Sequence, residues 1–296
     1  MQLIDHASAA RFIGAMAPDW TWLLRQIESD DGYVRFPPRF SRIITNLNIG
    51  NYPDLYANEL FIGWIMLLAF LSPEEIKALD TELALLSPED RGKLIFELAN
   101  DFEAEVEAID IPKTPAQEKR LLEAFNALSK EEQGEARKCA QYFFMAFLAG
   151  FYQSLSIMVH GEKLTSLVAQ AKAGNDKAFA KAVQIDKNVL NGIPYFKQRS
   201  FEANLEGNRK FTEDVAAHQL RAPYKGKIRH KSLYLAFAFL ESVGLLDTMK
   251  HREILDLVND AGLDAHANRI DDVKNLSKRL GEYRAFQHRG LNLSTP

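Results

Sequence analysis

The chain has 296 residues, of which 47% are apolar and 26% charged, with only 16 glycines and 11 prolines. This composition is that of a globular protein with a sizeable core and excludes a largely disordered chain. The single cysteine, Cys139, excludes an intramolecular disulfide and a zinc site built from cysteines. Since the N-terminus also lacks a secretory signal pattern, we predict a cytoplasmic protein.

The net charge of −4 is unevenly distributed along the chain. Residues 1–160 hold 14 Lys and Arg against 24 Asp and Glu, a net −10, whereas residues 161–296 hold 22 against 16, a net +6. Two explanations fit this asymmetry. The halves attract each other across an internal interface, or the basic half faces an acidic partner such as nucleic acid.

Four helix starts can be read before residue 160. Ser72, Ser87 and Thr114 each precede a proline at the first helical position, and Ser129 forms a capping box with Glu132. These motifs predict helices over 73–86, 88–109, 115–128 and 130–159.

The segment Gly32–Asn51 is rich in β-branched and aromatic residues and includes Pro37 and Pro38. It predicts an extended segment or short hairpin near residues 32–51. A composition change near Ile111–Pro115 predicts an acidic N-terminal helical subdomain over 1–110. A helical subdomain with a basic C-terminal half would follow over 111–296, and a single domain is the alternative.

Apolar periodicity and turn residues predict the later helices. They are expected over 164–173, 177–190, 200–208, 209–220, 233–243, 252–259 and 270–286.

Three apolar runs could be considered as membrane-spanning helices: Leu60–Leu71, Tyr142–Val159 and Leu233–Leu240. The first spans about 18 Å as a helix, too short for a bilayer core. The second contains Gln153 and two serines and continues a charged, capped helix. We therefore expect no stable membrane span and place these runs in the core of an all-α, irregular or orthogonal multi-helix bundle.

The sequence matches no P-loop, dinucleotide-binding, nucleophile-elbow or zinc-protease motif, so no catalytic residue, cofactor or metal site is predicted. The histidines lie mostly at or after the charge switch and are spaced singly. An alternative hypothesis is an enzyme in which His160, His218 or His230, with a nearby Glu, serves as general base.

The strongest functional candidate is the segment Arg221–Lys231, which holds five Lys and Arg residues and no acid. Its Pro and Gly predict a loop, its charges could reach phosphates, and its tyrosine could stack on a base. The candidate binding residues here are Arg221, Tyr224, Lys225, Lys227, Arg229 and Lys231.

The last predicted helix is a second basic element. At 100° per residue, Lys274, Lys278 and Arg289 share one side with Arg284 nearby, while Leu276, Leu280 and Tyr283 lie opposite.

These features predict a non-catalytic interaction or regulatory protein whose basic C-terminal half contacts nucleic acid or an acidic protein partner. Homo-oligomer formation is left open. Besides the enzyme hypothesis, a membrane-active effector acting through Leu60–Leu71 and Tyr142–Val159 is a third alternative.

Overall fold

The structure is a computed structural model that describes residues 52–57, 115–224, 230–261, 263 and 273–292, with seven single positions before residue 86. These positions are Ala9, Ile13, Trp20, Leu23, Leu24, Thr81 and Leu85. Across these residues the chain is helical with no strand, which confirms an all-α, multi-helix fold. The segment near residues 32–51, the run Leu60–Leu71 and, apart from Thr81 and Leu85, the predicted helices over 73–86 and 88–109 lie outside the described residues.

A 3-10 helix over Tyr52–Ala57 precedes ten α-helices in the part of the chain that is described. They are α1 (Pro115–Ala127), α2 (Lys130–His160), α3 (Leu164–Lys172), α4 (Asp176–Ile185), α5 (Val189–Gly192), α6 (Pro194–Leu205), α7 (Arg209–Leu220), α8 (Lys231–Ser242), α9 (His251–Asp260) and α10 (Val273–Asn292).

Helix α2 begins and ends at signals present in its own sequence. The Ser129 Oγ accepts a hydrogen bond from the Glu132 N–H at 3.2 Å, and the Ser129 N–H donates to the Glu132 carboxylate at 2.8 Å. This is the predicted capping box. At the other end Gly161 has φ 64° and donates its N–H to the Ile157 carbonyl. A left-handed residue ends the helix there, as glycine does without a Cβ penalty.

The core forms where α2 and α8 pack along each other. Residues 147–159 of α2 and all of Leu233–Leu240 in α8 are buried, which confirms for these residues the prediction that the two runs lie in the core. The burial of residues 142–146 lies outside what the structure describes. The Trp20 ring lies 6.0 Å from that of Phe239. The same apolar cluster includes Ala9, Ile13, Leu23, Leu24 and Tyr56. The predicted boundary near residue 111 stays a prediction.

Polar residues inside the apolar run of α2 stabilise the turn into α3. The Gln153 side-chain oxygen accepts from the backbone N–H groups of Leu164, at 2.9 Å, and Thr165, at 3.3 Å. Because these donors have no partner within α3, Gln153 caps that helix from the core. The Ser156 hydroxyl donates to the Glu162 carbonyl at 2.7 Å.

The prediction of one helix over 177–190 was wrong, since α4 ends at Ile185 and α5 begins at Val189. The cause is the buried Asp186 side chain. Its carboxylate accepts from the Asn188 backbone N–H at 2.9 Å and from the Tyr56 hydroxyl, also at 2.9 Å. Side-chain bonds to nearby backbone compete with the helix, so the chain turns at Asp186.

Helices α4, α6 and α7 share an aromatic core. The Phe179 ring stacks on Phe196 with centroids 4.3 Å apart and meets Phe211 edge-on at 5.1 Å. Helix α7 has its predicted bounds, whereas α6 begins six residues before the predicted start because Pro194 stands at its first turn.

Candidate nucleic-acid interface

The flanks of the basic loop Arg221–Lys231 are held by the surrounding helices. Arg221 follows α7 and is exposed, whereas Pro223 is buried. The Gln184 side-chain amide of α4 donates to the carbonyls of Ala222, at 3.1 Å, and Pro223, at 3.4 Å. At the other flank, Lys231 is half-buried at the start of α8. The predicted Lys225, Lys227 and Arg229 lie outside the described residues.

Tyr224 joins the loop to the last helix. Its ring is half-buried and meets the Phe286 ring edge-on, with centroids 6.2 Å apart. The Tyr234 ring lies 6.1 Å from the same phenylalanine. An aromatic cluster therefore fixes the start of the loop beside α10, and the Tyr224 ring is in contact with protein rather than standing clear of it.

His230, at the far flank of the loop, also lies near α10. It is half-buried, and its charge lowers the pKa of Glu282 in that helix, behind the larger effects of the Arg279 hydrogen bond and the Arg279 and Lys278 charges. Both described flanks of the loop therefore adjoin the last helix.

Helix α10 is amphipathic as predicted. Leu276, Leu280 and Tyr283 are buried against the core, while Lys274 and Lys278 are exposed on the opposite side. The structure shows no ion pair for either lysine among the residues it describes. Arg289 lies within the helix.

The arginines of α10 differ from its lysines because acids neutralise them. Arg284 forms a 2.7 Å ion pair with Asp247, and Arg279 forms one of 2.8 Å with Glu282. By helical angle, Arg284 lies about 120° from Lys278. The ion pair between Arg279 and Glu282 could have been predicted from the sequence, because side chains at i and i+3 are neighbours on a helix. No sequence signal links Asp247 to Arg284.

A polar network beneath α10 fixes its position. The Tyr283 hydroxyl donates to the Glu241 carboxylate at 2.7 Å, and the Gln287 side-chain nitrogen lies within 3.1 Å of that carboxylate and of the Ile157 carbonyl. Burial, together with the Glu241 charge, raises the pKa of Tyr283 far above its usual value. The hydroxyl therefore stays protonated and keeps donating. The network ties α10 to α8 and α2.

The three histidines of the enzyme hypothesis are His160, His218 and His230, and they differ in the groups that surround them. The His218 Nδ1 lies 2.8 Å from the Asp214 backbone carbonyl, and burial together with the Lys181 and His218 charges lowers the pKa of His160 to about 3. A group with so low a pKa is a weak general base at neutral pH. His230 has the carboxylate of Glu282 in its surroundings.

Metal binding and membrane insertion have no candidate site in the described part of the chain. No three His, Cys, Asp or Glu side chains there form a group able to hold a metal ion. No helix among the residues described has the length and apolar content to cross a membrane.

Comparisons with known proteins found no similarity. No family model matches the chain, and no curated protein or solved structure matches it significantly.

Proposed function

We propose that this is a non-catalytic nucleic-acid-binding protein that holds phosphates on a surface formed by the basic loop and the outer side of α10. We call this the basic surface. Its cations are Arg221, Lys225, Lys227, Arg229, Lys231, Lys274, Lys278 and Arg289.

The observation that carries the proposal is the contact between Tyr224 and Phe286, which brings together two basic segments about sixty residues apart in sequence. Neutralising several phosphates at once, with release of their counterions, supplies most of the affinity in nonspecific binding. One surface built from both segments provides more cations than either alone. Lys274 and Lys278 support this function because no acid among the described residues pairs with them.

The packing of Tyr224 favours a particular form of recognition. Half-burial and the edge contact with Phe286 reduce the part of this ring that a base could cover. We therefore propose contact with backbone phosphates and little dependence on base sequence.

The test is fluorescence anisotropy with mixed-sequence DNA and RNA, comparing the wild type with a loop variant carrying Lys225→Ala, Lys227→Ala and Arg229→Ala. We expect binding that weakens as salt rises and is lost or strongly reduced in this variant, because three phosphate-binding cations are removed.

A matched control removes the same charge elsewhere. Lys172, Lys177 and Lys210 are exposed, and Lys177 and Lys210 lie at the starts of α4 and α7, away from the ends that adjoin the loop. Their joint change to Ala should leave affinity close to that of the wild type. Equal weakening by both triple variants would mean that net charge alone drives binding. If neither nucleic acid binds at low salt, the proposal is wrong and an acidic protein partner becomes the hypothesis to test.

A further inference from the structure

Helix α10 has a neighbour on each of its two sides, besides the core beneath it. On one side the His251 Nδ1 atom lies 2.9 Å from the Ser277 hydroxyl oxygen, which places the start of α9 against α10. On the other side the Phe286 ring meets that of Tyr224, at the start of the basic loop. Ser277 and Phe286 lie about 180° apart around the helix and about 14 Å apart along it. The start of α9 and the basic loop therefore flank α10 on opposite sides.

A second contact on the α9 side supports this arrangement. The Arg284 guanidinium forms its 2.7 Å ion pair with Asp247, in the segment that leads into α9. By helical angle Arg284 lies only about 20° from Ser277, two turns further along α10. One side of α10 thus contacts α9 and the segment before it through two polar interactions, and this side is not the one that contacts the loop.

The start of α9 is itself basic. Lys250 and His251 are exposed, and the structure shows no ion pair for Lys250 among the residues it describes. The acids of this helix are already engaged, since the Glu253 carboxylate accepts the Lys250 backbone N–H at 2.8 Å and Asp256 pairs with Arg252. The N-terminal end of a helix adds a partial positive charge. This flank therefore carries positive charge in addition to that of the basic surface.

The outer side of α10 lies between the two flanks. Lys274, Lys278, Gly281 and Ala285 follow one another there at intervals of three or four residues, and all are exposed. A Cβ atom added at Gly281 would meet no described atom within 4 Å, so packing within the described chain does not explain this glycine. Glycine is unfavourable inside a helix, but it lets a ligand approach the backbone closely. A large partner therefore has room to rest against α10 beside its lysines.

We propose that the partner of the basic surface is double-stranded DNA. Helix α10 lies at one groove, and the loop and the start of α9 contact the phosphates of different strands. This assignment rests on the proposed function and names its ligand class.

The dimensions and the charges of the surface support a DNA duplex. A helix with its side chains is about 10–12 Å across, and the major groove of B-DNA is about 12 Å wide. Cations on both sides of such a helix match the two rows of phosphates that border the groove, whereas a single strand offers one row. The major groove of an RNA duplex is deep and narrow and does not suit this arrangement.

The first test compares three probes of one mixed sequence by fluorescence anisotropy at a single salt concentration. They are a DNA duplex, one of its single strands and the corresponding RNA duplex. We expect the DNA duplex to bind about tenfold more tightly than the others, because it alone offers two phosphate rows at this spacing. A single strand or an RNA duplex that binds as tightly as the DNA duplex overturns the assignment but leaves the proposed function standing. Absence of binding by all three contradicts both.

A second test shows whether the start of α9 contacts the DNA. Lys250→Ala removes one exposed cation, and it should make the slope of log affinity against log salt for the DNA duplex shallower by about 1. The matched control is Lys177→Ala, which removes an exposed lysine at the start of α4 and should keep the wild-type slope. Circular dichroism checks that both variants are folded. Equal slopes in the two variants would remove α9 from the surface and overturn contact with both strands.

A third variant adds bulk without changing charge. Gly281→Leu places a side chain in free space on the outer side of α10, and leucine favours a helix more than glycine does, so we expect a folded protein. It should weaken binding of the DNA duplex severalfold, because the added side chain keeps the duplex away from the α10 backbone. Gly134→Leu makes the same change in α2, about 35 Å along that helix from Ile157, the residue that contacts α10. Wild-type affinity in both leucine variants would contradict a duplex lying against α10.

Discussion

At His160, the effect of burial on the pKa outweighs the effect of the residue's position at the end of a helix. The C-terminal end of a helix normally favours a positively charged side chain. Here, removal from water disfavours the charged ring, and the nearby Lys181 and His218 add to the effect, so the pKa falls from 6.5 to about 3. The ring is therefore neutral in the folded protein near pH 7.

This shift predicts a loss of stability in acid. The unfolded chain takes up a proton at His160 below about pH 6.5, whereas the folded chain does so only near pH 3, so stability falls as the pH drops through this window. Between pH 7 and 5 the His160 share of the loss should be about 2 kcal/mol. Urea unfolding at both pH values measures it.

Two variants isolate the contribution of His160. His160→Gln should flatten the pH dependence by this amount, whatever its effect on stability at pH 7. His251→Gln removes an exposed histidine and should keep the dependence of the wild type. Identical pH dependence in the wild type and His160→Gln would contradict the account.

At the scale of elements, α10 contacts both the core and the start of the loop. Tyr283 and Gln287 bond to Glu241 of α8, and Phe286 packs on Tyr224 at the loop. The start of the loop is therefore held against α10 by an aromatic contact that carries no charge.

Truncating that contact should affect both stability and binding. Phe286→Ala removes a half-buried ring that packs on Tyr224 and Tyr234, and it should lower the free energy of unfolding by about 2 kcal/mol. It should also reduce nucleic-acid affinity, although no charge is lost. Chemical unfolding and anisotropy measure the two effects.

The control is another phenylalanine on the surface. Phe201 is 62% exposed, so Phe201→Ala should change stability by less than about 0.5 kcal/mol and leave binding unaltered. Wild-type affinity in a folded Phe286→Ala protein would show that the loop does not need this contact.

Local signals in the sequence predicted the elements well and their arrangement less well. Thr114 before Pro115, and the capping box of Ser129, predicted the starts of α1 and α2 because the interactions involved lie within four residues. The break at Asp186 could not be predicted, since one of its partners is Tyr56, 130 residues away. The contact of the Tyr224 ring with Phe286 in the last helix could not be predicted either, because the two residues lie far apart in the sequence.

At the scale of the whole molecule, the basic half neutralises much of its own arginine charge. Arg199 pairs with Asp176 and Glu206, and Arg252 pairs with Asp256. Arg279 and Arg284 are also paired within this half. Five of the eight cations of the proposed basic surface are lysines, which suit contact with phosphates as point charges more than bidentate reading of bases.

We propose that the loop and α10 bind one polyanion together. The most direct measurement is the slope of log affinity against log salt for a double-stranded DNA. It is compared among the wild type, the loop triple variant, a helix variant with Lys274→Ala and Lys278→Ala, and their combination. We predict that the slope becomes shallower by about 2–3 in the loop variant and by about 1–2 in the helix variant, with the two losses adding in the combination. A helix variant with the wild-type slope, beside a loop variant with a reduced one, would contradict a shared surface.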